Sequence, residues 1–553
     1  MVQQFDYIIT GGGSAGCVLA SRLTEDPDVT VLLLEAGGED RNILFHWPAG
    51  FAKMTKGIAS WGWETVPQRN MNDRVLWYTQ AKVVGGGSTI NAQVYTRGNG
   101  VDYDAWRDQA GCEGWGYREV LPYFKRSEGN QVFCDDYHGA DGPLGVSQPV
   151  APLPVAWAFI RAAQEYGIPY NPDFNGARQA GTGFYQLTQR DARRSSASTA
   201  FLKPAMKRPN LTVRTGAQAL KVVVENGKAI GVDYATGQNV HTALASREVL
   251  VTSGAIGSPR LLLLSGIGPA DHLKSAGVDV VHDLPGVGEN LHDHLDLFVI
   301  AECAGRYSYD HYGKWHHALR AGVQYLLFRN GPAASSLFET GAFWRSEPGD
   351  GPCDLQFHFG QGSGIEAGVA AMKQGGVTLN AAYMRPKSRG TVRLKSADPA
   401  DAPLIDPGYW QEPEDRQRNI EGLKIARDIM RQPALQPFLK AERLPGPDVR
   451  SDADLFEYAC ANAKTQHHPV GTCKMGTDDM AVVDAQLKVR GLDALRVCDS
   501  SIMPTINSSN TNAPTLMIGE KGSDMVRGLP PLPPAIFEYE RNEPRQKIPA
   551  HQA

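Results

Sequence analysis

Three glycine clusters and one pair of polar side chains hold the residues of this sequence best suited to chemistry. Gly11-Gly-Gly13-Ser-Ala-Gly16 fits the GxGxxG spacing, and Glu35 follows 19 residues after Gly16. Glycines in this pattern let a backbone approach a pyrophosphate. The helix behind them offers free N–H groups and a positive dipole end, and an acid at that distance can bond both hydroxyls of a ribose. Ser14, Ala15 and Ala36 flank these contacts. The motif alone leaves NAD and FAD open. A second cluster, Gly85-Gly86-Gly87-Ser88-Thr89-Ile90-Asn91-Ala92, and a third, from Gly254 to Gly268, follow later in the chain. Three glycine-lined passages suit a long extended ligand, which favours FAD. Near the C-terminus, His468 in Gln466-His467-His468-Pro469 is followed 42 residues later by Asn510 in Ser508-Ser-Asn510-Thr-Asn512. A neutral imidazole with a pKa near 6.5 can take a proton around neutral pH. A carboxamide can hold the oxygen that loses it. Without further context, a lone His before Pro is usually a loop or core residue.

The elements that would position these groups can be read from apolar runs. Phe5-Asp-Tyr-Ile-Ile-Thr10 and Val29-Thr-Val-Leu-Leu-Leu-Glu35 read as buried strands on either side of a helix starting at Ser14. This is a strand–helix–strand opening. Leu211-Thr-Val-Arg-Thr and residues 222–232 read as hairpin-like strands around Glu225-Asn-Gly-Lys228. Residues 248–253 read as another buried parallel strand ending at a glycine. Arg496-Val-Cys-Asp499 and a helix over 515–526 look like a return to the first lobe, while 296–465 lacks glycine punctuation and reads as a separate lobe.

With these blocks assembled, the sequence resembles the glucose–methanol–choline (GMC) family of FAD-dependent oxidoreductases, in particular its bacterial alcohol- and choline-dehydrogenase-like members. The resemblance runs from Asp6 to about Met525. It is carried by Ala81-Lys-Val-Val-Gly-Gly-Gly-Ser-Thr-Ile-Asn91-Ala-Gln-Val-Tyr-Thr-Arg-Gly98, by Gly254 to Gly268 and by Leu284-Pro-Gly-Val-Gly-Glu-Asn-Leu-His-Asp-His294. Arg385-Pro-Lys-Ser-Arg-Gly390, His467-His-Pro-Val-Gly-Thr-Cys473 and Pro504 to Pro514 complete it. The resemblance implies a Rossmann-like FAD-binding domain with a parallel sheet, plus an α+β substrate domain with an antiparallel sheet. The implied domains are 1–295 for FAD, with a lid or insert near 100–200, and 296–465 for substrate. Residues 466–528 return to the first domain, and 529–553 form a Pro-rich tail.

The resemblance also implies roles. Gly86, Ser88, Asn91, Ala92, Gln93 and Val94 are expected along the flavin, Ala219 at the adenine through its backbone and Asp499 near the pyrophosphate. Asn512 is expected to support flavin or loop, and Trp61 to lie in the cofactor's surroundings. His468 and Asn510 match the family's catalytic pair, while His467, Phe357 and His358 are substrate-side expectations. Some members attach FAD through a His at the position that here reads Ile90, so FAD is expected to be non-covalent. The implied activity is oxidation of a primary alcohol to the aldehyde, with proton abstraction by His468 and hydride transfer to flavin N5. A dehydrogenase passing electrons to a quinone-like carrier is favoured over an oxidase using oxygen. The competing class is a flavin-containing lyase of the same family. Light-driven decarboxylation is disfavoured because Met384 stands where that chemistry needs a Cys.

Composition excludes other classes. The chain has 553 residues and a formal charge of −5, with 55 Lys and Arg against 60 Asp and Glu, which argues against nucleic-acid binding. The eight cysteines are far apart with no CxxC pair. His292-Asp293-His294 resembles metal-ligand spacing, but the family resemblance implies a structural place at the hinge between lobes, so no metal is expected. No apolar run reaches the roughly 18 residues needed to span a bilayer. A cytoplasmic location is expected, with peripheral membrane association open. Residues 319–328 (LRAGVQYLLF) read as a weakly amphipathic surface helix, more often core than membrane anchor, and His311, His316 and His317 as a solvated face or the substrate entrance.

Overall fold

The computed structural model describes residues 3–54, 57–349, 351–363, 372 and 375–536. Its first sheet is centred on strand Gln3–Thr10, flanked in parallel by Val31–Glu35 and by Asn239–Val251. Leu211–Thr215 extends it in parallel beyond Val31–Glu35, and Leu495–Val497 pairs in parallel with Val249 to Val251. Val31–Glu35 is buried throughout, as expected of a strand covered on both faces. The long strand Asn239–Val251 also pairs antiparallel with Lys228–Thr236, which forms a hairpin with Ala217–Glu225. The turn joins Glu225 to Lys228. Leu211–Thr215 is therefore no part of that hairpin, contrary to the sequence reading, because its partner lies 180 residues earlier, at Val31.

Helix Ser14–Leu23 packs against the C-terminal helix Asn512–Arg527. A side chain at Gly519 would lie 3.0 Å from Val18 Cβ and 3.1 Å from Ala15 Cα, so the small residue sets the close approach. Buried Glu520 accepts from Arg22 and Arg126 and locks the pair. This packing brings the start of each helix to one place. Of the Pro-rich tail, residues 529–536 are described. Leu532 N donates to Tyr123 Oη and Ala535 N to the Arg118 carbonyl, so this part docks on helix Tyr117–Ser127. Residues 537–553 lie outside the described residues.

The second sheet is antiparallel, in the order Leu439–Leu444, Leu295–Cys303, Gly376–Tyr383, Leu355–Gly360, Phe338–Trp344, Gly181–Phe184. One face packs with helices Pro413–Met430 and Pro154–Tyr166 in a core that includes Leu297, Leu355, Phe357, Phe359 and Leu379. Alternation along the strands turns Asp296, Gln356, His358 and Asn380 to the opposite face. The 100–200 insert is not confined to the first lobe, since it supplies both the edge strand Gly181–Phe184 and helix Pro154–Tyr166 to the second. No helix among the described residues is long and apolar enough to cross a membrane.

Candidate active site

A single cavity of about 600 Å³ runs between the two sheets, from Gly11 and Glu35 at one end to His468 and Asn510 at the other. At the first end, the helix beginning at Ser14 has no side-chain cap, so its amino-terminal N–H groups are available to a ligand. A side chain at Gly16 would come within 2.0 Å of the Gly11 carbonyl, which is why glycine stands there. Gly86 has φ +54, and a side chain on it would lie 2.8 Å from Gly13 Cα, so the second glycine loop is pressed against the first. Glu35 closes its strand with both oxygens engaged, accepting from Gly12 N at 2.9 Å and Gly37 N at 2.6 Å. Burial raises its carboxyl above the usual range, opposed by those two amides. A carboxylate has about four acceptor directions, so two remain for hydroxyls.

Ser14 Oγ donates to Asn512 Oδ1 at 2.8 Å, while the buried Asn512 Nδ2 has no protein partner. An orphaned donor beside an uncapped helix start suits an anionic group. Asp499 Oδ2 accepts from Gly254 N and Ser258 Oγ, and its Oδ1 accepts from Ser501 N, so it ties the third glycine segment to the 500 loop. Ala15, Ala36, Ala219, Asn91, Ala92, Gln93 and Val94 all line the cavity. So does Trp61, stacked on Trp63 at 4.9 Å with Lys82 Nζ over its ring at 4.3 Å. Asn91 Oδ1 accepts from Arg194 Nη1 at 2.7 Å. Gly16 and Ser88 sit one layer behind the wall, with Ser88 Oγ donating to the Gly85 carbonyl and accepting from Ala197 N. These residues fit FAD, with a long glycine-walled channel, a buried acid with acceptor directions to spare and free donors at a helix start.

At the other end, His468 Nε2 lies 3.2 Å from Asn510 Nδ2, and His468 Nδ1 lies 3.0 Å from His294 Nδ1. His294 Nε2 is 3.2 Å from the Met384 carbonyl, which can only accept. That carbonyl fixes the proton of His294 on Nε2 and leaves its Nδ1 bare. The proton between the two Nδ1 atoms therefore belongs to His468, whose Nε2 keeps its lone pair. Asn510 Oδ1 accepts from Thr96 Oγ1 and Gln356 Nε2, both at 3.0 Å, so its Nδ2 must face His468. Burial holds His468 well below the usual imidazole range, with His294, His358 and His467 adding to the effect. Burial likewise lowers His467 and His294 to about 3, so this cluster is neutral at pH 7.

The three residues of His292-Asp293-His294 turn out to be the scaffold of this pair. Asp293 Oδ1 accepts from His468 N at 2.9 Å, and its Oδ2 accepts from Tyr409 Oη and Thr465 Oγ1. His292 Nδ1 accepts from Ile506 N at 3.0 Å, holding the loop that leads to Asn510. No group of three or more metal-ligating side chains able to hold a metal ion occurs among the described residues.

His467, with φ +62, and His358 line the cavity, and the buried Nδ1 of His467 has no protein partner. Phe357 does not line it: strand alternation sends that ring into the helix-covered core and the neighbouring His358 toward the ligand space. Sequence reasoning missed Gln356, Asn380 and Asp296. Asp296 Oδ1 accepts from Gln466 Nε2 at 2.5 Å, its Oδ2 from Asn380 Nδ2 at 3.1 Å, and Lys464 Nζ lies 3.2 Å away. A lone acid in the apolar run Leu295-Asp-Leu-Phe-Val-Ile was the available signal.

Comparison with known proteins places the chain in a family. Two GMC oxidoreductase family models match residues 5–296 and 386–519. An alcohol dehydrogenase [acceptor] of Pseudomonas putida is 44% identical over 94% of this chain and 95% of its own. An oxygen-dependent choline dehydrogenase of Chromohalobacter salexigens is 43% identical over 97% of each. Among solved structures, pyridoxine 4-oxidase from Mesorbium loti superposes with a TM-score of 0.87 at 32% identity, covering 95% of this chain and 99% of that one. The chain belongs to the GMC oxidoreductase family, and it is an FAD-dependent oxidoreductase acting on the CH–OH group of alcohols.

Proposed function

We propose that this protein oxidises an uncharged primary alcohol to the aldehyde, with His468 as the base and Asn510 as the oxygen-holding partner. The observation that carries the proposal is the His468–Asn510 pair at 3.2 Å, with its tautomer and amide orientation both fixed by neighbours. FAD, when bound, supplies the hydride acceptor. The bare Nε2 of His468 takes the hydroxyl proton, and Asn510 Nδ2 donates a hydrogen bond to the oxygen as it gains negative charge. His294 Nδ1 keeps accepting from His468 Nδ1–H, which steadies the imidazolium that forms. The polar wall of His467 and His358 meets the rest of the substrate. Asp296, the acidic lining residue near this end, is neutralised by Lys464, which favours an uncharged alcohol over a quaternary ammonium such as choline.

Non-covalent attachment is supported by Ile90, an apolar side chain packed with Phe45, Met54 and Val83. One relative is named for an unspecified electron acceptor and another as oxygen-dependent; of the two kinds of acceptor we place a quinone-like carrier ahead of oxygen for this chain. The test is anaerobic mixing of the yellow protein with a panel of primary, secondary and quaternary-ammonium alcohols, followed by re-oxidation with a quinone dye or oxygen. Bleaching fastest with uncharged primary alcohols and faster re-oxidation by the dye are expected. No bleaching with any alcohol would support the lyase reading instead. Flavin remaining in an acid-precipitated pellet would contradict non-covalent attachment.

A further inference from the structure

Helix Trp315–Phe328 is the most apolar exposed element of the described chain. Its inner face is small and aromatic: Gly322 and Tyr325 rest on Trp47, the Tyr325 and Trp47 rings lie 5.0 Å apart, and Tyr325 Oη donates to the Ala192 carbonyl. The outer face carries Trp315 at 77% exposure, Leu319 at 60%, Leu326 at 54%, Leu327 at 68% and Phe328 at 67%. At 100° per residue, Trp315, Leu319, Val323, Leu326 and Leu327 form one stripe about 120° wide, beside the arc of the buried Ala321, Gly322 and Tyr325. The sequence reading of a surface helix holds, while its preference for core over an outward role is corrected. The core takes Ala321, Gly322 and Tyr325, and the leucines, Trp315 and Phe328 are exposed.

Charge follows the same division. Between Asp310 and Glu339 the chain carries Lys314, Arg320 and Arg329 and no acid, in a protein whose net charge is −5. His316 and Arg320 sit on the exposed face beside Leu319 and Val323. The helix has 14 residues, about 21 Å at 1.5 Å per residue, too short for the roughly 30 Å hydrocarbon core of a bilayer. Trp, Leu and Phe on one face with cations around them are the features of a helix lying flat in a membrane interface.

We propose that this face docks the protein on an anionic lipid surface, with the apolar stripe in the acyl boundary and Lys314, Arg320 and Arg329 on the headgroups. A second copy of the chain is the less suitable occupant. An isologous contact would set three cations of one copy near the same three of the other, with no acid from this stretch between them. The docking face belongs to the same packing unit as the cavity wall. Trp47, on which the helix rests, leads directly into Phe51–Met54, and Phe51 and Met54 line the cavity. Phe51 meets Phe338, another lining residue, with ring centroids 6.0 Å apart.

The test is sedimentation of the full-length, FAD-loaded protein with vesicles of mixed phosphatidylglycerol and phosphatidylcholine, and with pure phosphatidylcholine. Binding to the anionic vesicles and little binding to the neutral ones is expected. The triple variant Leu319→Ser, Leu327→Ser, Phe328→Ser should stay in the supernatant while reducing dye with alcohol at the normal rate. Lys314→Gln, Arg320→Gln, Arg329→Gln should lower partitioning by about 100-fold. Retained binding in the apolar triple variant would overturn the proposal. So would failure of the wild type to bind, equal binding to neutral vesicles, or a wild-type dimer in sedimentation velocity that the apolar variant converts to monomer.

Discussion

The two ends of the cavity are built on different principles. The nucleotide end is made of backbone. Glycine loops, helix starts and strand ends come from short contiguous segments, and side chains such as Glu35 and Asp499 mainly tie those segments together. The alcohol end is made of side chains delivered from distant stretches: Thr96, His294, Gln356, His468 and Asn510 converge through pairings of 42 to 414 residues in sequence. A backbone cradle tolerates small changes because several amides share the load, whereas a converging side-chain set has one bare nitrogen for one proton. Substitutions at His468 and Asn510 should therefore cut rate, and those at the nucleotide end occupancy.

The largest expected effect is at His468. Replacing it with Ala should slow flavin reduction by roughly 10²–10⁴-fold, about 3–5 kcal/mol, read by anaerobic stopped flow. Asn510→Ala should cost less, about 2–4 kcal/mol in the same assay, as one missing hydrogen bond to the developing charge. The double variant should lose less than the sum, since both groups address one oxygen. At the opposite end, Glu35→Ala should weaken FAD binding by about 1.5–3 kcal/mol in titration of the apoprotein, with reduction of the flavin that is bound nearly unchanged. If Glu35→Ala slows reduction without loss of flavin, the division between the two ends fails.

The smallest effect concerns protons. His467 has a folded pKa of about 3, below the unfolded value near 6.5. Between those values the unfolded chain binds the extra proton, so His467 costs stability as pH falls through that window, by about 1.4 kcal/mol per unit. His467→Asn removes that liability. Its stability relative to wild type, measured by urea titration at pH 7 and pH 5, should improve at the lower pH. A relative stability that worsens at pH 5 would place the charge on His467 in the folded state.

The same contrast explains what could be read from the sequence. Gly11 to Gly16 with Glu35 needed only local spacing, because the strand–turn–helix that uses them is contiguous. The pairing of Leu211–Thr215 with Val31–Glu35 is parallel and distant, so nothing local separates it from the neighbouring hairpin. The sequence reading put both Phe357 and His358 on the substrate side, although neighbours on a strand face opposite ways; which of the two sides is core depends on helices Pro154–Tyr166 and Pro413–Met430, far away in sequence. The family resemblance gave His292-Asp293-His294 a structural place rather than a metal. The bonds of that segment to both loops of the His468–Asn510 pair required the fold.

The most direct test of the account compares His467→Ala with His468→Ala, both loaded with FAD, in anaerobic stopped-flow reduction by protiated and α-deuterated alcohol between pH 5 and 9. The account predicts near-wild-type reduction in His467→Ala, with altered KM or substrate preference. It predicts at least a hundredfold loss in His468→Ala at unchanged flavin content. It also predicts that the wild-type rate keeps its plateau below pH 6.5, because buried His468 stays neutral there. Abolished reduction in His467→Ala with normal reduction in His468→Ala would contradict it, moving the base one residue earlier.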